Sequence, residues 1–356
     1  MPARRRASLR SGFTSSALAL LLSLHASAAA PDLTPLQTKF DAILRASRAE
    51  IGVAVMHVES GMHLSAHGDD RFPMASVYKL PIVVELLLQV AEGKQRLDRP
   101  MPIAAQDIRA CCTLSRRHPK GGVTLTVAEL VDLMVVESDN TASDVVLKLV
   151  GGPDVVERRM RALGFGNINV NRYEGDINFD MTGVASPPPH EQWTLELQRR
   201  LVSEVALPDL WAARLRYMHD PRDTATPDDM AGFLVRLQRG TLLPPAQTQL
   251  LLDAMCRAKT GPQRLKSLLP PETPVAHKTG TTNVIINDVG IITLPGDAAM
   301  PGHVAIAVFA MNGRTTSMQT AIARLSAATY EFFTGRPLSR VERPKAATKR
   351  AKRGKM

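Results

Sequence analysis

The sequence predicts an α/β protein in which one antiparallel five-stranded sheet is flanked by terminal helices and carries an inserted all-α lobe. Two observations predict this fold. Strand-like segments occur near both ends of the body, at 50–70 and 273–313, whereas apolar residues return at helical spacing between them. Because strands from both ends must bury their apolar faces together, the central helices form a separate lobe.

The elements follow in order along the body. Residues 33–47 have helical apolar spacing, and residues 50–70 alternate around a Glu59-Ser60-Gly61 turn, which indicates a β-hairpin. Amphipathic helices follow from Ser76 to about Val150. The remaining predicted elements are strands at 273–282, 286–297 and 302–313 and a closing helix at 316–335.

These elements predict two lobes within a chain of 356 residues, of which 44% are apolar and 22% charged. The α/β lobe is discontinuous (31–75 and 257–335), and the helical lobe spans 76–256. The boundary between two such lobes is a common place for a small-molecule cleft.

The net charge of +10 lies at the chain ends rather than on a binding face. Residues 1–28 carry four arginines and no acid, and residues 336–356 carry nine positive charges against one glutamate, which leaves a slightly acidic body. A nucleic-acid partner is therefore not expected. The segment 336–356 is poor in hydrophobic residues and is predicted to be a basic disordered tail.

Residues 1–30 have the character of a secretory signal peptide. An arginine-rich start precedes a short apolar core and small residues suited to signal peptidase, and the apolar core is too short to span a membrane. The adjacent Arg5 and Arg6 favour twin-arginine export over the general route. We expect a periplasmic or secreted protein without stable membrane insertion.

The three cysteines, Cys111, Cys112 and Cys256, do not form a disulfide framework in a chain of this length. Adjacent cysteines rarely bridge each other, and although Cys256 could pair with either, buried free thiols are the expected state. The nine histidines show no metal-ligand spacing, so no metal site is expected.

Ser76 and Lys79 stand three residues apart where an apolar run begins. A helix starting there places both side chains on one face, where a lysine amine can assist removal of the serine proton. The free backbone N–H groups of a helix start can also stabilise a developing oxyanion. By itself this pair is a weak signal, since such spacing arises by chance about once in a chain of this size.

Two further motifs make coincidence the poorer explanation. The three occur in the order Ser76-x-x-Lys79, Ser138-Asp139-Asn140 and Lys278-Thr279-Gly280. With these three motifs in this order, the chain resembles the penicillin-recognising serine hydrolases, the superfamily of class A β-lactamases and penicillin-binding proteins. The resemblance covers about residues 33–335. The resemblance implies a two-lobe α/β fold.

A fourth stretch, "NRYEGDINFD", favours the class A branch of that superfamily. Arg172, Glu174 and Asn178 match its pattern of arginine, acid and asparagine in the loop that floors the site. In that family the acid and the asparagine hold a water molecule against the acyl-enzyme. A base is needed because the ester is hydrolysed quickly only by a positioned water that has lost a proton.

The resemblance implies a role for each matching residue. The catalytic residues are Ser76, Lys79, Ser138 and Glu174, and the substrate-binding residues are Asn140, Asn178, Lys278, Thr279, Gly280, Thr281 and Arg264. Ser76 attacks the lactam carbonyl, and Ser138 passes a proton to the leaving nitrogen. Whether Lys79 or Glu174 is the base of the acylation step stays open.

Two departures from the family pattern concern the substrate carboxylate and the loop. Asn287 stands where many members have an arginine, so Arg264 is the candidate that replaces it. In addition, 44 residues separate Asn178 from Asp223, and the insertion at 179–221 contains a proline-rich bend and one or two helices. We expect an Arg172–Asp223 ion pair to hold the base of this loop.

The leading hypothesis is a monomeric, periplasmic class A β-lactamase that acts on a small-molecule β-lactam and needs no cofactor. One alternative is a D-alanyl-D-alanine carboxypeptidase-like or esterase-like hydrolase with the same serine. Another is a sensor that is acylated by β-lactams and releases them slowly. Glu174 and Asn178 argue against both alternatives. We expect the residue guarding the mouth of the site near Cys111 to Thr113.

Overall fold

Twelve α-helices and nine strands make up residues 31–338, the part of the chain that this computed structural model describes. The helices are α1 (Thr34–Ser47), α2 (Lys79–Ala91), α3 (Cys112–Arg117), α4 (Val127–Val136), α5 (Asn140–Leu149), α6 (Pro153–Ala162), α7 (Glu174–Thr182), α8 (Leu195–Ser203), α9 (Leu207–Met218), α10 (Pro227–Gln238), α11 (Pro245–Cys256) and α12 (Thr315–Thr334). The strands are β1 (Glu50–His57), β2 (His63–Ala66), β3 (Phe72–Pro73), β4 (Pro100–Ile103), β5 (Val123–Thr126), β6 (Thr224–Ala225), β7 (Val275–Thr281), β8 (Ile286–Leu294) and β9 (Gly302–Met311).

The predicted five-stranded antiparallel sheet is confirmed, with strand order β2-β1-β9-β8-β7. The β1–β2 hairpin comes from the start of the body, and β7, β8 and β9 come from its end. They meet where β1 pairs with β9 along its whole length, from Glu50 opposite Met311 to His57 opposite Val304. Two short ribbons, β3 with β6 and β4 with β5, lie outside this sheet.

The core is divided by the sheet, and β9 is buried on both faces. Its successive side chains point alternately to opposite sides. Val304, Ile306 and Val308 pack with α1 and α12, whereas Ala305 and Phe309 pack with the central helices. A strand buried on both faces has a continuous apolar sequence, as "VAIAVFAM" does.

The fold class is confirmed, and the predicted terminal helices and hairpin correspond to α1, α12 and β1–β2. One helix from the predicted helical lobe behaves differently, because α10 packs on β1 and β9 of the sheet. The lobe boundaries at 75/76 and 256/257 stay a prediction. Residues 33–338 belong to one compact unit.

The predictions for the two ends have different outcomes. The predicted signal peptide at 1–30 lies outside the described residues, as does most of the predicted tail. At the start of that tail, Arg336 pairs with Asp297 at 2.5 Å, and the Leu338 amide donates to Glu331 at 2.9 Å, so residues 336–338 contact the folded body. Between residues 31 and 338, no helix has the length and apolar character that crossing a bilayer requires.

Candidate active site

Ser76 lies in a 3₁₀ turn (Ala75–Tyr78) that leads directly into α2 at Lys79. The predicted helix start is therefore a 3₁₀ turn, in which residues three apart lie one above the other. Ala75 has φ 45°, an uncommon left-handed conformation for alanine. Strained backbone of this kind persists only where the surroundings hold it.

Asn287 on β8 is one of the residues that hold this turn. Its Nδ2 donates to the carbonyl oxygens of Pro73 at 2.9 Å and Met74 at 3.0 Å, and its Oδ1 accepts from the Ala310 amide at 3.1 Å. Asn287 therefore ties the segment before Ser76 to the centre of the sheet. Its role was not predicted, although an amide within a buried apolar strand must find such partners.

Gly280 lets β7 approach the same turn. A Cβ atom at this position would lie 2.4 Å from the Met74 carbonyl oxygen and 3.2 Å from Ala75 Cβ. Real Cβ atoms do not come that close to backbone, so only glycine fits here. The close approach brings Thr281, the next residue of β7, to the cavity that Ser76 borders.

Lys79 lies fully buried beneath the cavity. Its Nζ donates to the Ser138 carbonyl oxygen at 2.8 Å and to Asn140 Oδ1 at 2.7 Å. Glu174 Oε1 lies 3.0 Å from the same Nζ. This last contact is an ion pair by distance but lacks hydrogen-bond geometry, so Glu174 Oε1 has no hydrogen-bond partner within residues 31–338.

Ser138 and Lys278 form the second pair of the site. Lys278 Nζ donates to Ser138 Oγ at 2.9 Å and to the Thr279 carbonyl oxygen at 2.8 Å. Burial and the positive charge of Lys79 hold the pKa of Lys278 well below its usual range. Ser138 has φ 60° in the turn between α4 and α5. Lys278 therefore joins the sheet to the helical part through the Ser138 hydroxyl.

Glu174 is the first residue of α7, and Asn178 follows one turn later on the same face. The Glu174 amide donates to Asp144 Oδ1 at 2.6 Å. Asp144 Oδ2 accepts from the Gly175 amide at 3.3 Å and from Arg109 Nε at 2.5 Å. Burial raises the pKa of the Asp144 carboxyl, and the Arg109 guanidinium opposes this shift. Asp144 therefore caps the helix that carries Glu174.

The ion pair expected at the base of the loop is present. Arg172 Nε donates to Asp223 Oδ2 at 2.6 Å, and Asp223 Oδ1 accepts from the Asn171 amide at 2.7 Å. Burial lowers the pKa of the Arg172 guanidinium, but the Asp223 carboxylate and further acids outweigh this effect and raise the pKa overall. Asp180 and Asp220 complete its partners, at 2.6 and 3.1 Å.

The insertion packs against the helix that carries Glu174. Its Trp193 is 1% exposed and meets Phe179 of α7 edge to face, with ring centroids 4.9 Å apart. A Cβ atom at Gly175 would lie 2.1 Å from the Trp193 ring. The Arg109 guanidinium lies 5.0 Å from the centroid of that ring. Trp193 thus supports both α7 and the Arg109–Asp144 pair.

Trp193→Ala is expected to lower the free energy of unfolding by about 3–5 kcal/mol, because it leaves a cavity beneath α7. Urea-induced equilibrium unfolding measures this loss. Trp211→Ala is the matched control, since Trp211 belongs to the same insertion but is 56% exposed, and its loss is expected to be under about 1 kcal/mol. Equal losses for the two variants would contradict the supporting role of Trp193.

The prediction of free thiols at Cys111 and Cys112 is wrong, because these neighbours form a disulfide. The physical reason is the backbone, which has φ 94° and 81° at the two residues and so departs from regular conformations. Cys256 is free, as expected, but exposed rather than buried. The disulfide borders the same cavity as Ser76, in the region predicted to guard its mouth.

Arg264 does not border the cavity. Its Nη2 donates to Thr281 Oγ1 at 2.7 Å, and its Nη1 donates to the carbonyl oxygens of Gly280 and Asn287 at 3.1 and 2.7 Å. It therefore acts behind β7 and orients the Thr281 hydroxyl. Thr279 Oγ1 lies 2.6 Å from Thr260 Oγ1.

Seven of the eleven predicted site residues border a cavity of about 220 Å³, whereas Lys79, Lys278, Gly280 and Arg264 do not border it. Those that border it are Ser76, Ser138, Asn140, Glu174, Asn178, Thr279 and Thr281. A larger cavity of about 550 Å³ between α3, α4 and α11 contains none of the predicted catalytic residues, so the smaller one is the candidate site. Within residues 31–338, no group of three His, Cys, Asp or Glu side chains is arranged to hold a metal ion.

Comparisons with known proteins agree with this geometry. A family described as "Beta-lactamase enzyme family" matches residues 35–333. The chain is similar to Beta-lactamase VEB-1 of Pseudomonas aeruginosa, with 30% identity over 79% of this chain and 84% of that protein. Extended-spectrum beta-lactamase PER-1 of the same organism is 26% identical over 83% of this chain and 87% of that protein.

Solved structures show the same likeness. A structure described as "Ancestral (GNCA) Beta-lactamase class A" has a TM-score of 0.68 and 28% identity, covering 84% of this chain and 100% of its own. A beta-lactamase from Chitinophaga pinensis has a TM-score of 0.68 and 27% identity, covering 84% and 99%.

Proposed function

The chain belongs to the beta-lactamase enzyme family, and on that premise we propose the roles that its own side chains take. It is a class A serine β-lactamase, which hydrolyses the β-lactam ring through a serine acyl-enzyme. The observation that carries the proposed roles is the position of Lys79, whose Nζ lies within 3.0 Å of Ser138, Asn140 and Glu174 beneath the cavity that Ser76 borders.

In the acylation step, Ser76 Oγ attacks the lactam carbonyl and its proton leaves to a base. Lys79 and Glu174, whose Nζ and Oε1 atoms lie 3.0 Å apart, are the two candidate bases, with Glu174 acting through an intervening water. The oxyanion receives hydrogen bonds from the backbone N–H groups of Ser76 and Thr281. The lactam C–N bond then breaks, and its nitrogen takes the proton of the Ser138 hydroxyl, which the Lys278 contact at 2.9 Å orients, while Ser138 regains the proton that the base took from Ser76.

In the deacylation step, Glu174 removes a proton from a water molecule that attacks the ester carbon at Ser76. Glu174 Oε1 supports this role, since it forms an ion pair with Lys79 but accepts no hydrogen bond within residues 31–338 and so can receive that bond. Asn178, one helical turn along α7, offers a second polar contact to the same water. The ester bond breaks, and Ser76 recovers its proton.

Substrate binding divides between the two sides of the cavity. The hydroxyls of Thr279 and Thr281 bind the carboxylate of the substrate, and the charge of the buried Lys278 beside them attracts it. Arg264 contributes by holding Thr281 at 2.7 Å and by its charge. On the other side, Asn140 Oδ1 is occupied by Lys79, which leaves its Nδ2 to donate to the side-chain amide of the substrate.

The value of kcat/KM is expected to fall on the alkaline side below pH 10.5, the ordinary pKa of a lysine. The reason is that carboxylate recognition needs charged Lys278, whose lowered pKa makes it lose its proton earlier as pH rises. Lys278→Arg keeps the charge and is expected to move this limb to higher pH. Lys39→Arg, an exposed lysine paired with Glu331, is the matched control. An unmoved limb in Lys278→Arg would assign it to another group.

We also propose export to the periplasm or the medium and action as a monomer. The signal-like sequence at 1–30 supports export. The cavity supports a monomer, because residues of one chain are enough to form its wall.

The direct test mixes purified protein with a chromogenic cephalosporin and follows both colour and intact mass. Sustained colour with the mass of the unmodified protein after substrate is consumed is the expected result. One equivalent of colour with a lasting adduct would instead support the slowly deacylating sensor, and the absence of both would overturn the proposed site.

A further inference from the structure

The insertion contributes one side chain with a polar group to the wall of the active-site cavity. This residue is Tyr217 of α9, and Met181 is its apolar neighbour from the start of the insertion. We propose that Tyr217 is a further catalytic residue of the deacylation step, whose hydroxyl binds the water that hydrolyses the ester at Ser76. This inference rests on the proposed function.

The state of the Tyr217 hydroxyl is the first argument. The residue is 3% exposed, and its Oη has no hydrogen-bond partner within residues 31–338. Leaving a buried hydroxyl without a partner costs about 1–3 kcal/mol. Because Tyr217 borders the cavity, a molecule inside the cavity can supply the missing bond.

The position of Tyr217 indicates which molecule that is. Helix α9 packs against α7, the helix that carries Glu174 and Asn178. The Tyr217 ring also lies 5.8 Å from the guanidinium carbon of Arg172, which anchors the base of the same loop. Tyr217 is therefore on the side of the cavity where the hydrolytic water is proposed, and not on the β7 side, where Thr279 and Thr281 bind the carboxylate.

The chemistry of the phenol suits this task. Burial and the surrounding acids, Asp223 first among them, raise the pKa of Tyr217 above its usual value, so the hydroxyl stays neutral and can both donate and accept. In the proposed step, Glu174 takes one proton from the water while Tyr217 holds the water oxygen or its second hydrogen. No proton is transferred to or from Tyr217, so the step stays balanced as written above.

The test is Tyr217→Phe, which removes only the hydroxyl. With a penicillin substrate, we expect the deacylation rate to fall about tenfold, the value of one hydrogen bond of about 1.4 kcal/mol. The acylation rate and kcat/KM are expected to stay unchanged, so intact mass shows more acyl-enzyme at steady state. The melting temperature is expected to stay equal, because phenylalanine keeps the ring and its packing. Rapid-quench mass spectrometry separates the two rates.

Tyr330→Phe is the matched control, because it makes the same change in α12 on the far face of the sheet. Deacylation at the parent rate in Tyr217→Phe would overturn the inference, and so would an equal fall in acylation and deacylation, which indicates a structural role. Glu174→Ala run in parallel separates the two levels of proposal. If Glu174→Ala slows deacylation and Tyr217→Phe does not, only this inference fails; if neither does, the proposed function of Glu174 fails as well.

Discussion

Ser76→Ala is expected to give a folded protein that neither turns over a β-lactam nor forms a covalent adduct with one. Ser138, the other serine on the cavity wall, has its Oγ engaged by Lys278 at 2.9 Å. Loss of a nucleophile in a serine hydrolase lowers turnover by about 10⁴-fold or more, leaving only the effects of binding and oxyanion stabilisation. Initial rates with a chromogenic cephalosporin and intact mass after incubation measure the two effects.

The control for this variant is Ser203→Ala, which removes the same atom from an exposed serine at the end of α8. Its rates are expected to equal those of the parent. An adduct on Ser76→Ala would assign the nucleophile to another residue, and peptide mapping of the adduct would then identify it.

Glu174→Ala is expected to separate the two halves of the reaction. Ser76 and its oxyanion donors remain, so the protein is acylated, but the water loses its base and the acyl-enzyme accumulates. General-base catalysis contributes about 10²–10⁴-fold, and steady-state turnover is expected to fall by that amount. Intact mass after mixing with a penicillin shows the adduct, and its decay gives the remaining deacylation rate.

Glu196→Gln serves as the control for charge, since Glu196 is an exposed carboxylate at the start of α8. Glu174→Gln is the second test variant, because it keeps the shape of the side chain beside Lys79 while removing its basicity. Unchanged turnover in both variants at position 174 would mean that another group activates the water. Failure to be acylated at all would instead place Glu174 in the first step.

The sequence is sufficient to predict features that depend on short motifs or on the local spacing of residues. The order of strand-like and helical segments predicted the sheet assembled from both ends of the body. The Arg172–Asp223 ion pair was predicted across the insertion, because both residues match a pattern that closes a loop. In each case a local rule carried enough information.

What the sequence could not predict depends on contacts between distant residues. Nothing near Asp144 in the sequence indicates that it caps the helix of Glu174, 30 residues away. Likewise, the sequence shows that Asn287 stands where many family members have an arginine, but not that it anchors the turn of Ser76. That role depends on a contact with Met74, which is 213 residues away in the sequence. The Cys111–Cys112 disulfide was missed because it depends on local backbone angles that no spacing rule encodes.

The bond between Arg172 and Asp223 means that both ends of the insertion leave the body side by side. A segment whose two ends are held together can change in length at its far end without separating those ends. The entropic cost of closing the loop rises only slowly with its length. The junction between α8 and α9, where Glu204 and Ala206 are exposed, is therefore a suitable place to insert a foreign peptide or domain. A peptide or domain inserted there would project from the enzyme, and the catalytic residues would keep their positions.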